Sequence, residues 1–561
     1  MEYFRSKKWL KEMERTESFF NSGSESINFY KNNENPFFKC SYISKSIWED
    51  IQYKEFLNNI NHSHHIYNFL EKTLINPIYN KDILEQRQNS LIYFKNNKQQ
   101  CLLTKNTEES YDWLLSLKPD IKNYIMDGLF PKAWLSKWLY WDPLFINLFQ
   151  IYRGYWSPLA QSIYPISVLL GPYIYLYKKL KWKIPIKSYL KIVYQIIQWI
   201  YHSSIDITTK IRNSVVFFIY IGIYLYSFIQ VIDWSYQLRK YRNILISRLT
   251  RIYKVICDFQ GTVSNIPLDF WKPFLPNIQR TTILKPVSLS LKDFYIYWKK
   301  KDSRLQIKEI YQVIGIYEGL RSLSSLIEKD WFICSYKYPI TFVGSMKHPE
   351  LIDPIENPIC LSNNLIITGP NAGGKTTYMK SLLWNLLMGQ SFGIMRGKYG
   401  NICLYDAILH HDRIKDSIGN RSLFEAEMDK AKEVLNCVKD HKNVVYFMDE
   451  PLHSTPPLDG SSMLKALLFY LSNNNNIKVL LTTHYFSLQE LESLLPNKFK
   501  NICMEAYKEN NNYQFSYKIT RGYSRQSIGI ELLKINDFPE EMIKTAIKMK
   551  NKLYSLKVNA P

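Results

Sequence analysis

Apolar residues between Ile66 and Phe94 recur at helical spacing in the run "IYNFLEKTLINPIYNKDILEQRQNSLIYF", and the pattern predicts two helices parted at Asn76-Pro77. The proline offers no amide hydrogen and its ring collides with the preceding turn, so one helix cannot pass through it. Helical character continues over 108–150. Two uncharged apolar runs follow, Gly154 to Tyr177 and Asn213 to Ile232, each reaching the roughly 20 residues that cross a bilayer. From Asp233 to Lys329 the pattern is again helical, now amphipathic and basic, with a proline-containing break over 260–282. Beyond Asp330, short β-rich runs alternate with helical ones: "ITFVG", "NLIITG", "NVVYFMDE", "IKVLLTTH". That alternation predicts an α/β domain with a largely parallel sheet.

A chain of 561 residues exceeds one ordinary core, so two to four domains are expected. An apolar content of 46% excludes a disordered protein. The net charge of +22 is uneven: residues 331–561 hold 27 Lys/Arg against 22 Asp/Glu, which leaves 45 against 28 for residues 1–330. A basic excess ahead of the α/β region suits nucleic acid or an anionic membrane face. The abundant tyrosine follows the general Asn, Ile and Lys bias of the chain and is set aside as a functional signal. Eight cysteines are scattered without metal-ligand spacing, which suggests buried, reduced thiols in an intracellular compartment, cytoplasm or nucleus. His62, His64 and His65 read as an exposed polar turn, and the charged N-terminus has no apolar core of a signal peptide.

The two uncharged runs leave three readings open: a pair of buried helices, interfacial membrane contact, or spanning. If both crossed, the segment 178–212 would be exported with Lys178, Lys179, Lys181, Lys183, Lys187, Lys191, Lys210 and Arg212 against a lone acidic Asp206, contrary to the positive-inside tendency. Pro158, Pro165 and Pro172 also interrupt the first run.

The chemistry concentrates in three segments. "GPNAGGKT", Gly369 to Thr376, fits G-x-x-x-x-G-K-[ST] between a strand-like "LIIT" and a helix-like "TYMKSLLWNLLMG". Its glycines let backbone N–H groups converge on phosphate oxygens at a helix N-terminus, while Lys375 reaches the β- and γ-phosphates and Thr376 binds Mg²⁺. Gly369, Pro370, Asn371, Ala372, Gly373, Gly374, Lys375, Thr376 and Thr377 are therefore the candidate ATP-binding residues. "NVVYFMDE" ends in Asp449, placed to hold the metal shell, and Glu450, placed to polarise an attacking water. "IKVLLTTH" ends in His484, positioned to sense the γ-phosphate.

"TGPNAGGKTTYMK" resembles the phosphate loop of the MutS family of DNA mismatch repair ATPases, whose T-G-P-N-x-x-G-K-S/T is more restrictive than the generic motif. Further resemblances follow in family order: "MKHPEL" at 346–351, "DSIGNRSLFEAEM" at 416–428, "MDEPLHSTPPLDG" at 448–460, "TTHYFSL" at 482–488, and the helical tail over 517–546. The segment 76–94 resembles the start of the family's helical core. The resemblance implies an ABC-type P-loop ATPase with a largely parallel sheet, preceded by a mainly α-helical core or lever region. It also implies a dimer with composite ATP sites, in which Ser422 approaches the γ-phosphate held by the other subunit. As a residue type, Ser422 also suits an N-cap with Glu425 three positions on, a role compatible with the first.

The chain departs from the family pattern at Leu452-His453-Ser454-Thr455 and Pro456-Pro457, where Gly-Arg-Gly-Thr is usual, and at Ala372, where Met is usual. The family's Phe-x-Glu wedge has no credible counterpart. Phe69-Leu70-Glu71 carries the letters inside a helical pattern, and the helical core starts too early to leave room for mismatch-reading and connector domains. The expected organisation is a lead-in over 1–65, a helical region over 66–330, an ATPase domain over 331–535 and a helical tail over 536–561. The expected function is an ATP-dependent, Mg²⁺-using clamp on DNA structure, homodimeric and without classical mismatch reading. The alternative is a membrane-associated MutS-related ATPase, held through 154–232, whose partner is not DNA.

Overall fold

The computed structural model describes residues 40–60, 63–97, 101–116, 143–202, 207–275, 279–285, 301–411, 423–452, 455–509, 512–524 and 538–558, with a few isolated positions between them. The chain divides into two compact units. One holds Leu102–Ser264 and Thr281–Ile310; the other holds Asn33–Cys101, Asn265–Arg280 and Tyr311–Pro561.

The second unit is built on strands β1 (Tyr42–Ile43), β2 (Trp331–Ile333), β3 (Phe342–Met346), β4 (Asn357–Cys360), β5 (Asn364–Thr368), β6 (Ile394–Arg396), β7 (Tyr399–Asn401), β8 (Ala407–His411), β9 (Val444–Asp449), β10 (Ile477–Thr482), β11 (Phe499–Glu509) and β12 (Asn512–Arg521). Seven of them form one sheet in the order β1-β8-β9-β10-β5-β11-β12. Every pairing is parallel except β11 with β12. The central strands are apolar at successive positions because helices cover both faces of a parallel sheet; all six residues of β9 are buried. The helix Lys375–Phe392 is likewise buried around most of its circumference, which identifies a core helix rather than a surface one. It ends at Gly393, φ +78°, whose amide caps the Gly389 carbonyl.

The residues expected as a lead-in contribute the sheet's edge. Tyr42 and Ile43 pair with Ala407 and Ile408. Ser41 Oγ donates to the Tyr405 carbonyl, Ser46 Oγ to the His410 carbonyl, and Asp50 forms an ion pair with Lys380. The sequence pattern of two helices parted at Asn76-Pro77 appears as His64–Ile75 and Lys81–Asn96, with Ser63 and Asn80 accepting N-cap hydrogen bonds from Ile66 and Ile83. His64 and His65 open the first of these helices instead of forming a polar turn, and His62 lies outside the described residues. Phe69 is buried in that helix with its ring 5.4 Å from Phe274, a core position that no DNA wedge could use. Arg87 is buried too, donating to the carbonyls of Pro273 and Ser391.

The first unit is helical, with Pro143–Ile151, Ser157–Lys178, Ile186–His202 and the 57-residue Ile207–Val263 as its main elements. The long helix changes character along its length. Leu238, Tyr241, Leu245, Leu249, Ile252, Ile256 and Phe259 are buried, whereas Phe218, Tyr220, Ile223, Tyr226 and Ile229 are exposed. The reading of the two uncharged runs as buried helices is therefore corrected: among the described residues nothing covers the most apolar stretch of this helix, and Leu159, Tyr164, Ile174 and Tyr175 of the first run are exposed as well. The thiols also differ from expectation. No disulfide joins any of the eight; Cys40, Cys101 and Cys360 are exposed and only Cys334, Cys437 and Cys503 are buried.

Candidate active site

Strand β5 delivers the chain to the glycine-rich loop, and the helix Lys375–Phe392 leaves it. Gly369 adopts φ +150° and Gly374 φ +95° at the helix N-cap. A Cβ on Gly369 would stand 2.5 Å from the Met504 carbonyl oxygen, so only glycine lets the loop lie this close to β11. Ala372 also takes a positive φ, +64°, a strain that the rest of the loop must hold in place.

Lys375 is buried, its Nζ donating to the carbonyls of Gly369 (3.0 Å) and Pro370 (3.2 Å). Burial pushes its pKa down, against the pull of Glu450 and Asp449. Thr376 Oγ1 donates to both carboxylate oxygens of Asp449 at 3.0 Å. Glu450 stands at φ +45°, its amide anchored on Thr482. Its Oε1 lies 2.7 Å from His484 Nε2 and 3.7 Å from Lys375 Nζ. Asp449, Glu450, His484, Lys375 and Thr376 thus converge from three neighbouring strand ends. Asn371, Ala372, Gly373 and Thr377, with Lys375, Thr376 and Glu450, line a cleft of about 580 Å³. Ser422 lies outside the described residues, as do His453 and Ser454.

These groups fit a phosphate chain with a divalent cation. The Asp449 carboxyl is pushed up by burial, partly offset by hydrogen bonds from Thr482 and Thr376; a cation beside it would relieve that cost. One carboxylate and one hydroxyl match the way Mg²⁺ is held, with water and substrate phosphates completing its shell. Among the described residues no group of three or more His, Cys, Asp or Glu forms an all-protein metal site.

Several contributors escaped the sequence reading. Thr482 donates to Asp449 and anchors Glu450, but a threonine at the end of an apolar strand gives no signal of its own. Tyr517 lines the cleft and its ring faces Gly374, hidden by the discount on tyrosine. His348, from the His-Pro element, is buried in the cleft wall, its Nδ1 accepting from the Glu350 amide at 3.2 Å.

Burial, then Lys380 and Arg396, lower the His348 pKa to about 4. A neutral imidazole is thereby favoured in the folded state, so its stability contribution is present above an unfolded pKa near 6.5 and is lost as pH falls toward 4. At pH 5 the loss is about 2 kcal/mol. Thermal melts at pH 7 and pH 5 should show His348→Asn losing less stability than wild type over that interval; equal losses would contradict the assignment.

Residues 365–554 match the family model of MutS domain V. This stretch carries a MutS domain V. The DNA mismatch repair protein MutS of Oceanobacillus iheyensis is 32% identical over 185 residues, 33% of this chain and 21% of that protein. The MutS of Clostridium botulinum strain Alaska E43 is 31% identical over 268 residues, 44% and 27% respectively. That of Persephonella marina is 28% identical over 275 residues, 45% and 31%. The chain thus spans between a fifth and a third of the length of these curated relatives. MutS domain V is a P-loop ATPase domain, and the mostly parallel sheet agrees with it.

Proposed function

We propose that the protein is a MutS-type ATPase clamp that acts on DNA structure in repair or recombination, without classical mismatch reading. The observation that carries this reading is the convergence of Lys375, Thr376, Asp449, Glu450 and His484 within a MutS domain. The loop amides and Lys375 bind the phosphates of ATP, and the β- and γ-phosphates replace the carbonyls that Lys375 now contacts. Thr376 and Asp449 would hold Mg²⁺, which would supply neutralising charge on the phosphate oxygens. Glu450 orients the attacking water and accepts its proton, while His484 fixes the carboxylate. The protein acts as a homodimer with composite sites, Ser422 reaching across the interface. The surplus of 45 basic over 28 acidic residues in 1–330 serves phosphate contacts, which position a protein without reading sequence.

The test is the ATPase rate of the full chain with and without branched duplex DNA across a salt series. Several-fold stimulation that disappears as salt rises is expected. Turnover indifferent to DNA would overturn the DNA reading and favour the membrane-associated ATPase with another partner.

A further inference from the structure

The helices Ser157–Lys178 and Ile207–Val263 are clamped together at one end. Ser235 Oγ donates to the Gly154 carbonyl, the Arg239 guanidinium lies 4.7 Å from the Tyr155 ring centroid, and that of Arg153 lies 5.2 Å from Trp234. From this clamp the two apolar runs lead away in opposite chain directions. Near the other end, Tyr173 packs on Tyr189 and donates to the Ile184 carbonyl, which fixes the start of the helix Ile186–His202.

The exposure pattern identifies what surrounds this hairpin. Every position from Phe218 to Ser227 is exposed, and at about 100° per residue such a run covers the full circumference of a helix. A docked protein or a second copy of the chain covers one stripe and leaves the other faces polar. Here Phe218, Ile219, Tyr220, Ile223, Leu225 and Tyr226 present apolar surface in all directions. DNA is excluded as the occupant because no cation lies between Asn213 and Ile232. That charge-free stretch has a helical length of about 30 Å, the thickness of a bilayer's hydrocarbon layer.

Basic residues flank it at both ends: Arg212 with the exposed Lys178, Lys179, Lys181 and Lys183 toward the turn, and Arg153, Arg239, Lys240 and Arg242 at the clamp. Trp156 and Trp182, also exposed, sit at these two borders, where amphipathic rings favour a membrane interface. The prolines that count against a straight spanning helix lie within Ser157–Lys178, which stays helical through them, and membrane helices tolerate prolines. The basic turn bears on which face of the membrane it occupies, not on whether the hairpin enters.

We propose that the uncharged runs 154–177 and 213–232 insert in a bilayer as a helical hairpin that tethers this ATPase to an anionic membrane. The full chain, nucleotide-free, is tested by flotation with phosphatidylcholine vesicles and with vesicles containing about one phosphatidylglycerol in four lipids. It should float with both, more completely with the anionic ones, and remain bound through washes in molar salt and alkaline carbonate. The combined substitution Phe218→Lys, Ile223→Lys and Tyr226→Lys should raise the unbound fraction at least about tenfold with helix content unchanged by circular dichroism. A wild-type protein that is soluble without detergent and does not float, as monomer or as oligomer, would overturn the proposal. So would vesicle binding that salt alone removes. Neither readout depends on ATP or DNA, so failure here is separable from failure of the clamp reading.

Discussion

Glu450→Gln lowers ATP turnover by roughly 10²–10⁴-fold and leaves nucleotide affinity at least as high as in the wild type. The amide preserves the side chain's shape, and the main-chain bonds that hold position 450 on Thr482 do not involve the carboxylate. What disappears is a proton acceptor at the end of β9 and one of two negative charges beside the phosphate site. Loss of the acceptor slows chemistry; loss of the charge removes repulsion against ATP. Lys375, Thr376 and the loop amides, the proposed nucleotide-binding groups, are untouched. Phosphate release and titration with a fluorescent ATP analogue separate the two effects. Parallel loss of binding and turnover would show that Glu450 is structural.

Gly369→Ala abolishes nucleotide binding at working concentrations, an affinity loss of at least about 100-fold. The new methyl would have to share space with the Met504 carbonyl oxygen, 2.5 Å away, at a backbone angle that L residues rarely adopt. The neighbour cannot retreat easily, because Cys503 is paired with Thr368 in the sheet that carries both. The loop must move instead, taking with it the Gly369 carbonyl on which Lys375 rests. Gly522→Ala is the control. It has a similarly positive φ, +111°, but open space where a Cβ would stand, so it costs about 1 kcal/mol of stability and leaves ATP binding intact. Near-wild-type binding by Gly369→Ala would contradict this account of the loop.

The phosphate loop and its flanks were legible because their constraints are local: a positive φ demands glycine, a strand precedes it and a helix follows. The break at Asn76-Pro77 was legible for the same reason. The edge strand Tyr42–Ile43 was not, since its pairing partners lie more than 360 residues away and two residues carry no periodicity. Thr482 and Tyr517 join the site only through tertiary placement. Hydropathy marked the two uncharged runs but could not tell a buried helix from an exposed one, because both are apolar all round; the structure leaves Phe218 70% exposed and Trp384, in the core helix Lys375–Phe392, fully buried.

The central claim is that Lys375, Thr376, Asp449 and Glu450 form a working Mg²⁺-dependent ATP hydrolysis site. The measurement that tests it most directly is single-turnover hydrolysis of ATP by the full chain in excess over nucleotide, with and without Mg²⁺, beside Glu450→Gln. The account predicts cleavage by the wild type that requires Mg²⁺ and is nearly absent in Glu450→Gln despite bound nucleotide. Bound ATP that the wild type leaves intact, or cleavage unchanged in Glu450→Gln, would contradict it.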